Sequence, residues 1–307
     1  MNIKPYYSAN DYYRSLFGEK AYKISLNAGM TCPNRDGTCG IGGCIFCSDA
    51  GSGDFAADYD SSISAQIDAA ISRISPKYHG SSYIAYFQAF TNTYAPIDRL
   101  RDIFTTTIND KRIKGISIAT RPDCLEPEKI SLIAELNKIK PVWVELGLQT
   151  TNEDSARYIR RGYSLNVFED AVKRMREANI KVIAHMIVGL PGETHYDYMN
   201  TARYIAGMGI HGIKIQLLHV LKHTDLAKEY EKGLFHVTGR NEYVKTVVDI
   251  VETLPSCMVV YRITGDGPRN LLLAPRWSTD KKNIINMINR EFILRNTYQG
   301  KEYKNGC

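Results

Sequence analysis

The sequence predicts an α/β fold: a partial (β/α)6 barrel, open and lined by polar groups, followed by a C-terminal α/β extension. Three observations predict it. Strand-like and helix-like segments alternate over the first 220 residues, and right-handed crossovers turn that alternation into a parallel sheet. Each strand candidate carries hydrogen-bonding groups on one face, and beyond about residue 220 the alternation lapses.

The strands come in order at residues 21–26, 82–88, 115–120, 142–148, 181–188 and 212–219. The first sets Lys23, Ser25 and then Asn27 opposite Tyr22, Ile24 and Leu26. The second offers Tyr86 and Gln88, and the third Ser117, continued by Arg121. The fourth sets Glu145 and Gln149 opposite Val142, Val144, Leu146 and Leu148. The fifth offers His185, and the sixth sets Lys214 and Gln216 opposite Ile213, Ile215 and Leu217. Strands covered on both faces read as unbroken apolar runs, and these do not. Six polar faces turned toward one another line an interior that is solvated or filled by a polar ligand.

Helical periodicity fills the gaps at residues 61–74, 96–109, 126–138, 167–178 and 196–208. In the fourth of these, Phe168, Ala171, Val172 and Met175 follow the i, i+3, i+4, i+7 pattern, and Asn166 and Glu169 stand as a capping box. After the barrel, expected at residues 1–220, residues 221–307 form an extension packed on its edge. It holds helices at 240–254 and 281–294, a strand at 258–264 and a loop at 265–277. That loop and its flank carry Arg269, Arg276, Trp277, Lys281 and Lys282, a basic and aromatic set suited to phosphate and base.

Composition limits the partners. With 44% hydrophobic and 23% charged residues the 307-residue chain is an ordinary globular one, which excludes disorder and collagen-like repetition. No apolar run approaches the ~20 residues that span a bilayer. Residues 1–7 lack the apolar core of a secretion signal, so a cytoplasmic location is expected. The net charge of +6 favours a polyanionic partner without proving one.

The cysteines carry the strongest signal. Of seven, Cys32, Cys39, Cys44 and Cys47 fall within one Gly-rich loop, while Cys124, Cys257 and Cys307 are scattered. In a reducing compartment such a cluster binds a soft metal. Three thiolates on an iron–sulfur cube leave one iron open for chemistry, whereas four make a tetrahedral zinc knuckle. Spacing alone leaves both open.

Further motifs add to this loop. They are Cys32-Pro33-Asn34-Arg35-Asp36-Gly37, Gly43-Cys44-Ile45-Phe46-Cys47, Thr91-Asn92-Thr93-Tyr94, Ala119-Thr120-Arg121-Pro122-Asp123 and Glu145-Leu146-Gly147-Leu148-Gln149-Thr150. Arg161-Gly162-Tyr163, Gly189-Leu190-Pro191-Gly192-Glu193-Thr194 and Leu273-Ala274-Pro275-Arg276-Trp277 follow. In that order and spacing the chain resembles the radical S-adenosylmethionine (SAM) enzymes, and within them the bacterial YtqA/YhcC-like group related to the Elongator catalytic subunit. The resemblance covers residues 12–277. It implies a partial six-stranded barrel, a [4Fe–4S] cluster and SAM, which reduction cleaves to methionine and a 5′-deoxyadenosyl radical.

Carried over residue by residue, the resemblance makes Cys32, Cys44 and Cys47 the cluster ligands, with Phe46 before the last. Cys39 is the competitor to Cys32. Gln149 and Arg161 match contacts to the SAM ribose and carboxylate, and Gly189 and Leu190 match the loop along the adenine. The usual Gly-Gly-Glu after the second strand is absent, so Gln88, Thr91 and Asn92 become the candidates for the SAM amino group. Ala119 stands where Elongator-like relatives carry a glutamate, and Glu145 is the expected replacement, with Gln216 on the same polar interior. Arg121, Asp123, His185 and Lys214 are the substrate-side candidates, with Arg121 and Asp123 expected to pair. The implied substrate is tRNA, at the 5-substituent of its wobble uridine (the 5-methylaminomethyl, MnmL-type pathway), and the implied reductant is a flavodoxin or ferredoxin. The extension leaves no room for an acetyltransferase domain. Two other readings stand beside this one: a radical SAM enzyme on a small metabolite or protein, and a zinc-stabilised RNA-binding protein.

Overall fold

The computed structural model describes residues 4–51, 62–78, 80–265 and 267–304. Helix α1 (Ala9–Phe17), capped by the Ser8 hydroxyl, precedes strand β1 (Tyr22–Leu26). Then come α2 (Ile63–Ile74), β2 (Tyr83–Phe87), α3 (Ile97–Asn109), β3 (Ile113–Thr120), α4 (Pro127–Asn137) and β4 (Val142–Gln149). The series continues with α5 (Glu153–Tyr158), α6 (Leu165–Glu177), β5 (Lys181–Val188), α7 (His195–Gly207) and β6 (Gly212–Leu217). Strand β7 (Val220–Leu221), α8 (Asp225–Glu231), α9 (Arg240–Glu252), β8 (Val259–Arg262), β9 (Leu272–Ala274) and α10 (Lys281–Leu294) complete it. The expected helix start at Ser61, and Cys307, lie outside the described residues.

The sheet is parallel and has seven strands in the order β1-β2-β3-β4-β5-β6-β8. The six expected strands are there with bounds shifted by two residues at most. The seventh, β8, belongs to the extension expected to pack on the barrel edge, and it pairs with β6 as a further strand of the same sheet. Since β1 and β8 are the two edges, the barrel is open between them.

Apolar strand faces lie where the alternation put them. Ile24, Leu26, Val142, Val144, Leu146, Ile213, Ile215 and Leu217 pack with Leu100, Phe104, Leu132, Phe168, Met175 and Ile205 from the surrounding helices. Burying each such side chain stabilises by roughly 1.5–3 kcal/mol. The inner face differs. Ile84, Trp143, Ile183 and Val259 project inward at its base and meet Tyr12 and Tyr13 from α1, an aromatic plug that was not foreseen.

Two local expectations are corrected. Helix α6 starts at Leu165 after Ser164, and no Asn166–Glu169 capping box forms, because both residues already lie in its first turns. Trp277 is not a free stacking surface. Its ring packs 5.7 Å from that of Tyr243 and its indole N–H donates to the Thr238 carbonyl at 3.3 Å. Among the described residues no helix is long and apolar enough to cross a membrane.

Candidate active site

The interior of the barrel is a cavity of about 650 Å³, within the range of small-molecule sites. Its mouth includes the cysteine loop. Cys32, Cys44 and Cys47 all line it, with Phe46 and Arg35, whereas Cys39 is exposed and does not. The loop is pinned at several points. Cys47 N–H donates to the Cys44 carbonyl at 3.0 Å, Gly43 N–H to Asn34 at 2.7 Å, and Leu226 N–H to Ile45 at 2.9 Å. Ile45 is anchored in a small core with Ile159, Ile187 and Leu190. Gly43 sits at φ +83°, and a Cβ there would lie 2.9 Å from Arg35 Nε, so both the turn and the close guanidinium require glycine. The Cys44 thiol is lowered to about 7, chiefly by its hydrogen bond with Cys47, with Arg121, Asn34 and Arg35 adding to the effect. The same Cys44 contact, reinforced by burial, pushes Cys47 up. Among the described residues no three His, Cys, Asp or Glu side chains converge as ligands of a single metal ion. Cys39, exposed and off the cavity wall, stands apart from the three thiols that share it.

Beside the cysteines lies the end of β4. A bulge between Gly147 and Gln149 breaks the pairing with β5, and Gln149 takes φ +69°; bulges of this kind re-aim a side chain. Gln149 faces the cavity, and its Oε1 is buried without a partner. Arg161 also reaches the cavity wall, though its guanidinium is only 2% exposed. It donates to the carbonyls of Thr150 at 2.8 Å, Leu148 at 3.2 Å and Tyr163 at 2.9 Å, and pairs with Glu153 at 2.8 Å. Such commitments make it the clamp of the turn that carries Gln149 rather than a free cation for a ligand carboxylate. Arg121 pairs bidentately with Asp123 at 2.9 and 2.7 Å, and Tyr163 lies against both arginines.

Deeper, below the strands' C-terminal ends, sits a buried polar network. Glu145 is its hub, with no exposed side-chain surface. Oε1 accepts from Lys23 at 2.7 Å and from Ser117; Oε2 accepts from His185 Nε2 at 2.7 Å and from Lys214. Lys214 also donates to the Tyr86 hydroxyl at 3.2 Å. Lys214 and Lys23 hold Glu145 well below the usual carboxylate range against the penalty of burial. Burial, reinforced by Lys214, lowers His185 to about 4, so its imidazole is neutral. With Nε2–H donating to Glu145, Nδ1 accepts from Gln216 at 3.3 Å. Glu145 thus has no free oxygen for a ribose hydroxyl.

The remaining candidates divide. Gln88 and Thr91 line the cavity. Asn92 does not: it is fully buried and its amide donates to the carbonyls of Phe87, Ala89 and Ala119 at 3.3, 3.1 and 2.9 Å. Gly189 and Leu190 also lie outside the lining, Gly189 at φ +98° against Thr238 and Leu190 in the core beneath Ile45. Asp123 does not line the cavity, and its carboxylate pairs with Arg121, which does. Sequence reasoning missed Tyr163 and Arg262, both on the cavity wall. Tyr163 was signalled only by the Arg-Gly-Tyr motif, and Arg262 only by its place in a strand whose partner was unknown.

A parallel half-barrel with three thiols at the C-terminal end of its strands defines a class, and comparison with known proteins agrees. Residues 32–205 match the Radical SAM superfamily and residues 210–294 the Radical SAM C-terminal domain, so the chain belongs to the radical SAM superfamily. Within it, the chain is 44% identical over 301 residues to the uncharacterized protein YtqA of Bacillus subtilis (strain 168), covering 98% of this chain and 94% of that one. Protein YhcC of Escherichia coli (strain K12) is 34% identical over 266 residues, covering 86% and 85%. Elongator complex protein 3 of Homo sapiens is 26% identical over 161 residues, 52% of this chain and 29% of that protein. In structure, the archaeal Methanocaldococcus infernus Elp3 superimposes with a TM-score of 0.70 at 15% identity, covering 91% of this chain and 64% of that one. The family's cofactors are a [4Fe–4S] cluster and SAM. Three thiols on one cavity wall and the orphaned Gln149 oxygen, placed to accept from a ligand hydroxyl or ammonium, fit that pair.

Proposed function

We propose that this chain is a tRNA-modifying radical SAM enzyme that remodels the 5-substituent of the wobble uridine. Cys32, Cys44 and Cys47 hold the cluster, and Gln88, Thr91 and Gln149 are the polar groups placed to orient SAM beside it. When bound, this pair supplies a 5′-deoxyadenosyl radical, given one electron from a flavodoxin- or ferredoxin-like donor. Arg161 and Tyr163 fix the turn that aims Gln149, and the aromatic plug closes the barrel's base.

The observation that carries the reading is the continuity of one cavity, from the three thiols at its mouth down to the Glu145 network. Its volume, about 650 Å³, suits a small cofactor with an unstacked base beside it. Extruding a base from an anticodon loop costs a few kcal/mol, which backbone contacts offset. Gly267 and Pro268 line the cavity, and the exposed Arg269 and Arg276 close by in the chain support a phosphate-contacting role for this loop. The likeness to Elongator complex protein 3 supports an RNA substrate. Residues 1–220 form the barrel in this reading and residues 221–307 complete its wall and mouth, and the enzyme works in the cytoplasm, where tRNA is found.

The test is mass spectrometry of tRNA nucleosides from cells with and without the protein. Loss of a modified wobble uridine, with accumulation of its precursor, is the expected result. An unchanged profile would turn the assignment toward a small-molecule or protein substrate.

A further inference from the structure

The charge around the Glu145 network does not balance. Among the described residues lining the cavity, Glu145 is the sole carboxylate. Two cations contact it, Lys23 at 2.7 Å and Lys214, and a third, Arg262, stands beside Lys214 in the strand register. A bulge between Ile213 and Lys214 shifts that register, and Tyr261 and Arg262, consecutive residues, both line the cavity. Arg262 makes one hydrogen bond, to Gln216 Oε1 at 3.3 Å, and pairs with no carboxylate among the described residues. Because His185 is neutral, it contributes no charge. The order of donors is fixed: Arg262 to Gln216, Gln216 to His185, His185 to Glu145. Gln216 is thereby held with its oxygen on Arg262, leaving the other guanidinium N–H groups for the cavity. Lys23 keeps 26% of its side chain exposed across the open seam, over the Tyr86 and Tyr261 rings. Three cations against one carboxylate in a largely buried site are mutually repulsive. The missing partner is an anion, which a guanidinium binds best through paired N–H donors.

We propose that the deep end of the cavity is a recognition site for an anionic group of the substrate, a carboxylate or a phosphate, gripped by Arg262 and Lys23. The assignment rests on reading this cavity as the substrate site. Burial and the nearby Lys23 and Arg262 pull Lys214 below the ordinary ammonium range, as expected of cations short of counter-charge.

The experiment uses the anaerobically reconstituted holoenzyme with SAM. Binding is measured for anticodon stem-loops whose wobble uridine is unmodified, carries a short carboxylate-ended 5-substituent, or carries its methyl ester; acetate and inorganic phosphate serve as RNA-free probes. Wild type is compared with Arg262→Gln and Arg262→Lys, each checked for folding by thermal melting. A carboxylate on the substituent predicts acid over ester by about 10- to 100-fold, a preference lost in Arg262→Gln and partly restored in Arg262→Lys. A phosphate source predicts no acid preference, but equal loss of affinity for every stem-loop in Arg262→Gln. If acetate or phosphate binds in an Arg262-dependent way while no stem-loop binds, the anion site stands and the tRNA reading fails. If neither the stem-loops nor the small anions depend on Arg262, the proposal is overturned, whatever becomes of the tRNA reading.

Discussion

Replacing Glu145 by glutamine removes one charge and leaves the shape of the site almost unchanged, which isolates the electrostatics of the barrel interior. Glu145 is wholly buried, and Lys214, only 4% exposed, has no other carboxylate in contact among the described residues. Stripping one partner from a buried pair costs about 3–5 kcal/mol, because the other charge stays buried and uncompensated. Adding Lys214→Met removes that charge too, so the double variant should recover about 2 kcal/mol or more of the loss. The assay is equilibrium urea unfolding of the wild type, both single variants and the double variant under anaerobic conditions. pH supplies a second readout. Lys214 is already held below its ordinary value, and loss of Glu145 lowers it further. Between its folded and unfolded values the unfolded chain binds more protons, so the stability of Glu145→Gln should rise with pH toward about 10. A cost under about 1 kcal/mol, or additive single variants, would refute the account of Glu145 as the hub.

Three further outcomes follow from the same geometry. Cys44→Ala and Cys47→Ala should fail to form the brown iron–sulfur chromophore on reconstitution, whereas Cys39→Ala, exposed and off the cavity wall, should form it; the reverse pattern would reassign the ligands. His185 titrates at about 4 in the fold and near 6.5 unfolded, so the unfolded chain binds more protons between those values. Wild-type stability should therefore fall by on the order of 3 kcal/mol as pH drops from 6.5 to 4, and urea unfolding of His185→Gln should show a flatter profile. Gly43→Ala forces a side chain onto φ +83° and against Arg35; a cost of about 1–3 kcal/mol with reduced iron content on reconstitution is expected, and full iron loading would show that the loop tolerates the strain.

The strand faces were legible because alternation has a period of two residues and each of the six expected strands carried a polar group at an inward position above the apolar base of Ile84, Trp143 and Ile183. Lys23, Tyr86, Ser117, Glu145, His185 and Lys214 could be placed on one interior from sequence, and they meet there. What each does there was not legible. Glu145 reads like a ligand contact until Lys23 and Lys214 are seen on its oxygens, a convergence of β1, β4 and β6 that no local pattern encodes. Arg161 and Asn92 likewise carry ligand-binding chemistry in sequence, yet backbone carbonyls of their own and neighbouring segments take up their donors. Strand β8 has only four residues, and its partner β6 lies across two intervening helices. Helix α1 was not among the expected helices, and only the half-closed barrel gives Tyr12 and Tyr13 a base to plug.

In the proposed function, the three-thiol cavity performs radical SAM chemistry on tRNA. The most direct test reconstitutes the protein anaerobically with iron and sulfide, adds dithionite and SAM, and measures 5′-deoxyadenosine with and without tRNA from cells lacking the protein. The expected result is release that depends on Cys44 and rises when that tRNA is added. Absence of 5′-deoxyadenosine would contradict the radical chemistry itself, and release indifferent to tRNA would contradict the substrate.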